Sequence, residues 1–256
     1  MGFGGENALT LQEFFDRHPR AALGLSGGVD SAYLLYAGLR AGADIRPYFI
    51  KTAFQPAFEL ADAGRLCAAL GVPLTVIELD ALACEAVRQN PPDRCYHCKK
   101  QLFGALAARA RADGLSLVLD GTNSSDDADD RPGMRALSEL FVRSPLRECG
   151  LTKPEIRRLS REAGLPTADK PAYACLATRV PAGQALDPAL LLRIEQAEKA
   201  LFLLGYSDFR VRVFHDAARI QLKKAQLQRA AAEAAAVRAA IEPYFSTVLL
   251  DLKERE

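Results

Sequence analysis

Residues 21–35 read AALGLSGGVDSAYLL, and the reading of this stretch decides the fold. AALGL, 21–25, is a short apolar run that stops at two glycines. A run that brief, bounded by glycine, fits a strand buried on both faces. SAYLLYAGLRAG, 31–42, follows with apolar residues at helical spacing and a glycine at its end, which marks a helix and its stop. The turn between them, SGGVDS, predicts ligand chemistry. Gly27 and Gly28 let the backbone fold close to an anion, and successive N–H groups at a helix N-terminus cradle phosphate. Ser26 and Ser31 add hydroxyl donors. Asp30 repels phosphate unless a cation stands between them, and Mg²⁺ is the natural bridge. The turn lacks the lysine of G-x-x-x-x-G-K-[ST] and does not follow G-x-G-x-x-G. Taken bare, strand-SGG-helix also describes a tight turn with no ligand.

Outward from this point the strand–helix alternation continues. Thr10 and Glu13 have capping-box spacing before LQEFFDRH, which predicts a first helix. IRPYFI, 45–50, is the next strand. A helix from Pro56 to Gly71 follows, then a strand over PLTVIEL, 73–79. A short helix leads to a cysteine loop, and a longer helix covers 97–113. LSLVLDGTN, 115–123, is a fourth strand entering a second polar loop, and SELFVRSPL offers a fifth. Thr152 and Glu155 cap the helix KPEIRRLSREAG. This β-α order predicts an α/β fold, a parallel doubly wound sheet. Past 181 the pattern changes. A helix from Asp187 to 204, one or two strands in DFRVRVFHDAARIQL, an Ala-rich helix over 224–241 and a last strand in FSTVLLDL predict a small α+β domain. The expected division is 1–180 and 181–256.

The 256 residues carry 49% hydrophobic and 25% charged side chains and a net charge of +1. They hold enough apolar surface for a sizeable core. A near-neutral chain has no global field for nucleic acid. No apolar run approaches the ~20 residues of a membrane span. MGFGGENALT has neither a basic n-region nor an apolar h-region, so a cytoplasmic protein is expected. Its cysteines are then more often metal ligands, reactive groups or apolar fillers than disulfides.

Three further stretches carry candidate chemistry. PPDRCYHCKK, 91–100, holds Cys95 and Cys98. A C-x-x-C pair serves redox disulfides, zinc and iron–sulfur sites alike. Asp126, Asp127, Asp129 and Asp130 form an acid run in the second polar loop. By default such a run is solvated, and one or two of its members contact Mg²⁺ or fix an arginine. RVRVFHDAAR places Arg210, Arg212, His215 and Arg219 in an alternating stretch, with Arg210 and Arg212 on one face. The face is either solvated or grips phosphate or carboxylate.

SGGVDS resembles the PP-loop of ATP pyrophosphatases, a group that includes NAD synthetases, asparagine synthetases and tRNA thiolases. NPPDRCYHCKK, DGTN…RPG, RSPL, GLTKPEIRRLSREAGLP, DKPAYACLATRVPAG and RVRVFHDAARI stand in one order along the chain. Together they resemble the LarE family of ATP-dependent sulfur transferases. The resemblance implies a reaction that builds the nickel-pincer nucleotide. ATP activates a carboxylate of pyridinium-3,5-biscarboxylic acid mononucleotide as an acyl-adenylate, and sulfur attack leaves a thiocarboxylate. It implies ATP and pyrophosphate contacts at Ser26, Gly27, Gly28, Val29, Asp30, Ser31, Thr52, Gly121 and Thr122. It implies substrate contacts at Arg179, Glu198, Arg210 and Arg212, and Cys175 at the family's sulfur-donor position. Lys170 and Arg179 could hold the thiolate or meet phosphate.

Three cysteines, Cys95, Cys98 and Cys175, suit a [4Fe–4S] cluster with one iron lacking a protein ligand, an arrangement similar to a cluster-bearing subgroup of LarE. A sulfide source would then reload the protein. Two rivals stand beside it: sacrificial donation from Cys175, and zinc with His97 or another histidine. Cys67, Cys84 and Cys149 are read as packing residues. A tRNA thiolase is the alternative function. A homo-oligomer, a hexamer by resemblance, is also implied. Thr178 stands where the family commonly has Ser, and Ser125 and Asp130 where Asp and Tyr are expected.

Overall fold

The structure is a computed structural model that describes residues 9–126 and 132–255. Asp127, Asp129 and Asp130 of the acid run, and the first eight residues, lie outside the described residues. Along the chain the elements are α1 (Leu11–Arg17), β1 (Arg20–Gly24), α2 (Val29–Arg40), β2 (Asp44–Lys51), α3 (Ala57–Ala69), β3 (Thr75–Glu78), α4 (Glu85–Arg88), α5 (Arg94–Ala112), β4 (Val118–Leu119), α6 (Pro132–Glu139), α7 (Pro145–Glu148), α8 (Lys153–Glu162), α9 (Pro188–Leu203), β5 (Arg210–Phe214), β6 (Ala217–Gln221), α10 (Lys224–Ala232), α11 (Ala234–Ile241) and β7 (Val248–Leu250). They fall into two compact units. The first comprises residues 1–52, 57–79 and 95–170, and the second 53–56, 80–94 and 171–256.

In the first unit four parallel strands run in the order β3-β2-β1-β4. Side chains alternate across this sheet as a period of two requires. Ala21, Leu23, Ile45 and Phe49 face a core with Phe14 and Phe15 of α1, Leu34 and Leu35 of α2, Leu66 of α3 and Ile156 of α8. Ala22 and Tyr48 face the opposite way, onto Leu106 and Ala110 of α5 and Leu137 of α6. Helices on both faces explain why the strands read as near-continuous apolar runs, and the expected doubly wound sheet is present. The helix starts follow the predicted capping. Thr10–Glu13 and Thr152–Glu155 both close reciprocal boxes.

Several boundaries differ from expectation. CYHC is not a loop, because α5 opens at Arg94 and takes both cysteines into its first two turns. The fourth strand shrinks to two residues. Ser138 and Glu139 end α6 rather than starting a strand, and among the described residues of this stretch only Arg143 bridges to Leu119. In the second unit β5 and β6 form an antiparallel hairpin and β7 joins β6 in parallel. The Ala-rich stretch is two helices broken at Glu233, whose carboxylate accepts from Tyr206 (2.9 Å) and Arg229 (3.0 Å).

Candidate functional site

β1 and β4 are neighbours whose connections leave in opposite directions along the sheet. Their carboxyl ends therefore form a topological switch point, where open α/β sheets take their ligands. SGG occupies that point. Gly27 has φ 75°, a left-handed conformation that glycine adopts without strain. Gly28 is the N-cap of α2 with no side-chain cap, so the first N–H groups of the helix stay available to an anion. The two serines clamp the turn. Their hydroxyls lie 3.1 Å apart, Gly28 N donates to Ser26 Oγ (3.3 Å), and Ser26 N donates to Ser31 Oγ (3.2 Å). From the β4 side Gly121 comes so close that a Cβ there would stand 2.9 Å from Ser31 N. The two polar loops thus border one crevice, as expected from sequence. A pocket of about 480 Å³ lies there, lined by Ser26, Ser31, Gly121, Thr122, Cys95 and Lys99 among others.

The carboxylates around this pocket are already engaged by neighbouring groups. Asp30 receives Lys153 Nζ on one oxygen and Asn123 Nδ2 (3.3 Å) on the other. Asp120, buried at the end of β4, receives Ser144 Oγ (2.6 Å) and the hydroxyl and N–H of Thr122. Asp126 caps its own loop, accepting from Asn123 N at 3.1 Å. Lys170 lies behind the glycine turn. Its ammonium donates to Gly27 O (2.9 Å) and Asp62 (2.6 Å), bracing the glycine turn from behind. Arg157 holds that lysine's segment through the carbonyls of Ala168 (2.6 Å) and Lys170 (3.0 Å). Thr52 is buried just past β2, and Val29 is buried in the first turn of α2.

In the second unit Cys175 heads a 3-10 turn over Leu176–Arg179. The pieces 53–56 and 80–94 belong to this platform. Phe54 O accepts from Leu176 N (2.9 Å), and Asn90 Nδ2 donates to Pro181 O (2.9 Å). Arg94 Nη2 stands 3.8 Å from Cys175 Sγ. The remaining predicted residues gather behind the turn. Arg179 and Glu198 are both fully buried and paired through two contacts, 2.8 and 3.1 Å. Glu198 also accepts from Tyr173 OH and from Val211 N (2.9 Å). Arg179 donates to Ala174 O (2.8 Å), Arg210 to Ala172 O (2.6 Å), and Arg212 to Thr178 O (2.6 Å). The three arginines therefore bind the backbone of 172–178, and Glu198 ties Arg179, the Tyr173 hydroxyl and Val211 N together behind it. Burial disfavours the Arg179 charge, but the Glu198 hydrogen bonds and charge outweigh it and raise its pKa. Burial and the neighbouring Arg179 push Arg210 down to about 10.

Cys95 and Cys98 stand one turn apart on one helix, a spacing that suits two thiolate ligands. Three thiols are the right donor chemistry for iron and sulfide. Among the described residues, however, no three His, Cys, Asp or Glu side chains are grouped to hold a metal ion. No disulfide joins any of the six cysteines. Cys67 is buried against the first core and Cys149 is partly buried beside it.

No family model matches the chain. Among curated proteins, an uncharacterized protein of Synechocystis is 38% identical over 226 residues, 86% of this chain and 82% of that protein. The pyridinium-3,5-bisthiocarboxylic acid mononucleotide synthase of Lactiplantibacillus plantarum is 33% identical over 216 residues, 81% of this chain and 76% of the synthase. The chain belongs to the LarE family. An uncharacterized protein of Methanocaldococcus jannaschii is similar at 30% over 84% of this chain and 81% of its own length. A tRNA-specific 2-thiouridylase of Thermotoga is a more distant relative, 25% identical over 59% of this chain and 54% of the thiouridylase. The sheet order and glycine turn are those of the PP-loop fold.

Of the residues around the pocket and the Cys175 turn, the sequence singled out the glycine turn, Cys175 and the arginines, and did not single out Asp120, Asn123, Lys153 and Lys99. Asp120 and Asn123 had a signal, since they close LVLDGTN at a strand's carboxyl end. Lys153 had only its place at the start of a helix. Lys99 was legible once the CYHC segment is helical, because it then lies one turn beyond Cys95.

Proposed function

We propose that this LarE-family protein is an ATP-dependent sulfur transferase acting on a carboxylate of pyridinium-3,5-biscarboxylic acid mononucleotide. The observation that carries this reading is the likeness to the synthase across 81% of the chain. The anion cradle at the switch point and the presented Cys175 accord with it. ATP sits with its pyrophosphate on the Ser26–Gly28 turn and the N-terminus of α2. The substrate carboxylate attacks the α-phosphorus, pyrophosphate leaves, and a mixed acyl–phosphate anhydride forms. A carboxylate is a poor electrophile and the anhydride a good one, so sulfur can then displace AMP from the acyl carbon.

The sulfur source is the finer part of the reading, and it rests on the sequence. A [4Fe–4S] cluster on Cys95, Cys98 and Cys175 would supply an iron at which sulfide is held near neutral pH. In the alternative, Cys175 itself attacks. Loss of its α-proton then breaks the Cβ–S bond and leaves dehydroalanine in the chain and a thiocarboxylate on the product. Arg210 and Arg212 remain the proposed grip on the nucleotide's phosphate or carboxylates.

Pyrophosphate release tests the reaction. It is expected with ATP and the biscarboxylate nucleotide, and not with tRNA. Release with tRNA alone would make the protein a thiolase. Anaerobically reconstituted protein is expected to be brown and to hold iron and labile sulfide, and Cys95→Ser to be colourless. A Cys175 peptide lighter by hydrogen sulfide after turnover would show sacrifice instead. Arg212→Ala is expected to weaken nucleotide binding and leave ATP binding intact. Equal loss of both would remove Arg212 from the substrate grip.

A further inference from the structure

The glycine turn of this protein lacks the lysine that P-loops direct at the β- and γ-phosphates. We infer that Lys99, on α5, supplies that charge from across the pocket. Lys99 lines the same cavity as Ser26, Ser31 and Thr122. Its aliphatic stem lies over Gly133 in the first turn of α6. A Cβ at Gly133 would come within 2.9 Å of Lys99 Cδ and 3.1 Å of Cε. The missing side chain at 133 is thus the groove in which the lysine stem rests.

The other pocket charges leave this role to Lys99. Asp30 is taken by Lys153 and Asn123, Asp120 by Thr122 and Ser144, and Asp126 by the N–H of Asn123. Lys170 is spent on Gly27 O and Asp62. Among the described residues no carboxylate pairs with Lys99. An ammonium beside this pocket with no carboxylate partner among the described residues is suited to an anionic ligand, and lysine serves phosphate as a mobile point charge. Its position one turn past Cys95 ties phosphate recognition to the cysteine-bearing helix.

The inference deepens the ATP reading above and depends on it. The test is equilibrium binding of ATP, pyrophosphate and AMP to the full chain and to Lys99→Met and Gly133→Ala, with thermal unfolding as the control for folding. Lys99→Met is expected to weaken ATP and pyrophosphate roughly tenfold or more, the loss of one charge-assisted contact. AMP should stay within about twofold, since it has no β- or γ-phosphate. Gly133→Ala displaces the stem without altering its charge, so it should shift ATP in the same direction by less. If the parent protein binds ATP and Lys99→Met binds it equally well, the inference fails and the ATP reading stands. If Lys99→Met weakens AMP as much as ATP, the inference also fails. If the parent binds neither ATP nor pyrophosphate, both fall.

Discussion

Among the described residues Arg179 is the largest fully buried side chain, and it carries a charge. Such a group is tolerated only when paired and hydrogen-bonded. Glu198 supplies the pair, and Ala174 O and Thr178 Oγ1 take the remaining donors (2.8 and 2.9 Å). Removing one partner strands the other in an apolar interior. Arg179→Met is therefore expected to lower stability by about 3–5 kcal/mol, measured as a fall in the urea midpoint. A loss under about 1 kcal/mol would mean that water reaches the pair. The chemistry of these residues was legible in the sequence, but their burial was not. Arg210 and Arg212 alternate as a solvated face would, and nothing in RVRVF says that the facing backbone would be the 172–178 segment. That contact joins positions about thirty to forty residues apart, and local periodicity carries no information at such separation.

The hairpin β5–β6 turns at His215 and Asp216. His215 has φ 52°, a left-handed conformation that costs a side-chain-bearing residue energy and glycine none. His215→Gly is thus expected to raise stability by roughly 0.5–1 kcal/mol, read as a higher unfolding temperature, with no effect on nucleotide binding. A drop in binding would return His215 to the basic group with which the sequence grouped it. At this scale the strand–helix alternation, both capping boxes and the switch-point turn were legible, because each has a short-range physical cause. The start of α5 was not. Two prolines precede it and read as loop, although Arg94 N bonds to Pro91 O as the helix begins. α6 escaped for a similar reason, since Pro132 and Gly133 both argue against a helix by propensity. The break at Glu233 needed the distant Tyr206 hydroxyl to reveal it.

Across the whole molecule several acids are kept protonated by the fold. Burial and the Asp113 hydrogen bond push Tyr48 up to about 12 from 10.0, and burial pushes Cys67 and Cys149 up to about 11 from 9.0. Tyr33 and Tyr206 shift the same way, chiefly through burial. Below about pH 9 these groups are protonated in both states and cost nothing. Above it the unfolded chain gives up protons that the folded chain retains, so base favours unfolding. Urea midpoints are expected to be level up to about pH 9 and to fall steadily towards about pH 12. Iodoacetamide should label exposed Cys95 well before Cys67 over the same range. A flat stability profile would mean that these side chains meet water in the native state.

The second unit is stitched from residues 53–56, 80–94 and 171–256. On the ribosome its first two pieces emerge early and must wait for the last third of the chain before their hydrogen-bond partners exist. The hydrogen bonds from Leu176 N to Phe54 O and from Asn90 Nδ2 to Pro181 O cannot form until Leu176 and Pro181 have been synthesised. A fragment beginning at Pro171 would lack both pieces and could not rebuild the platform under Cys175. The module can therefore be neither excised nor grafted as a single stretch of sequence, and its maturation is deferred to the end of translation.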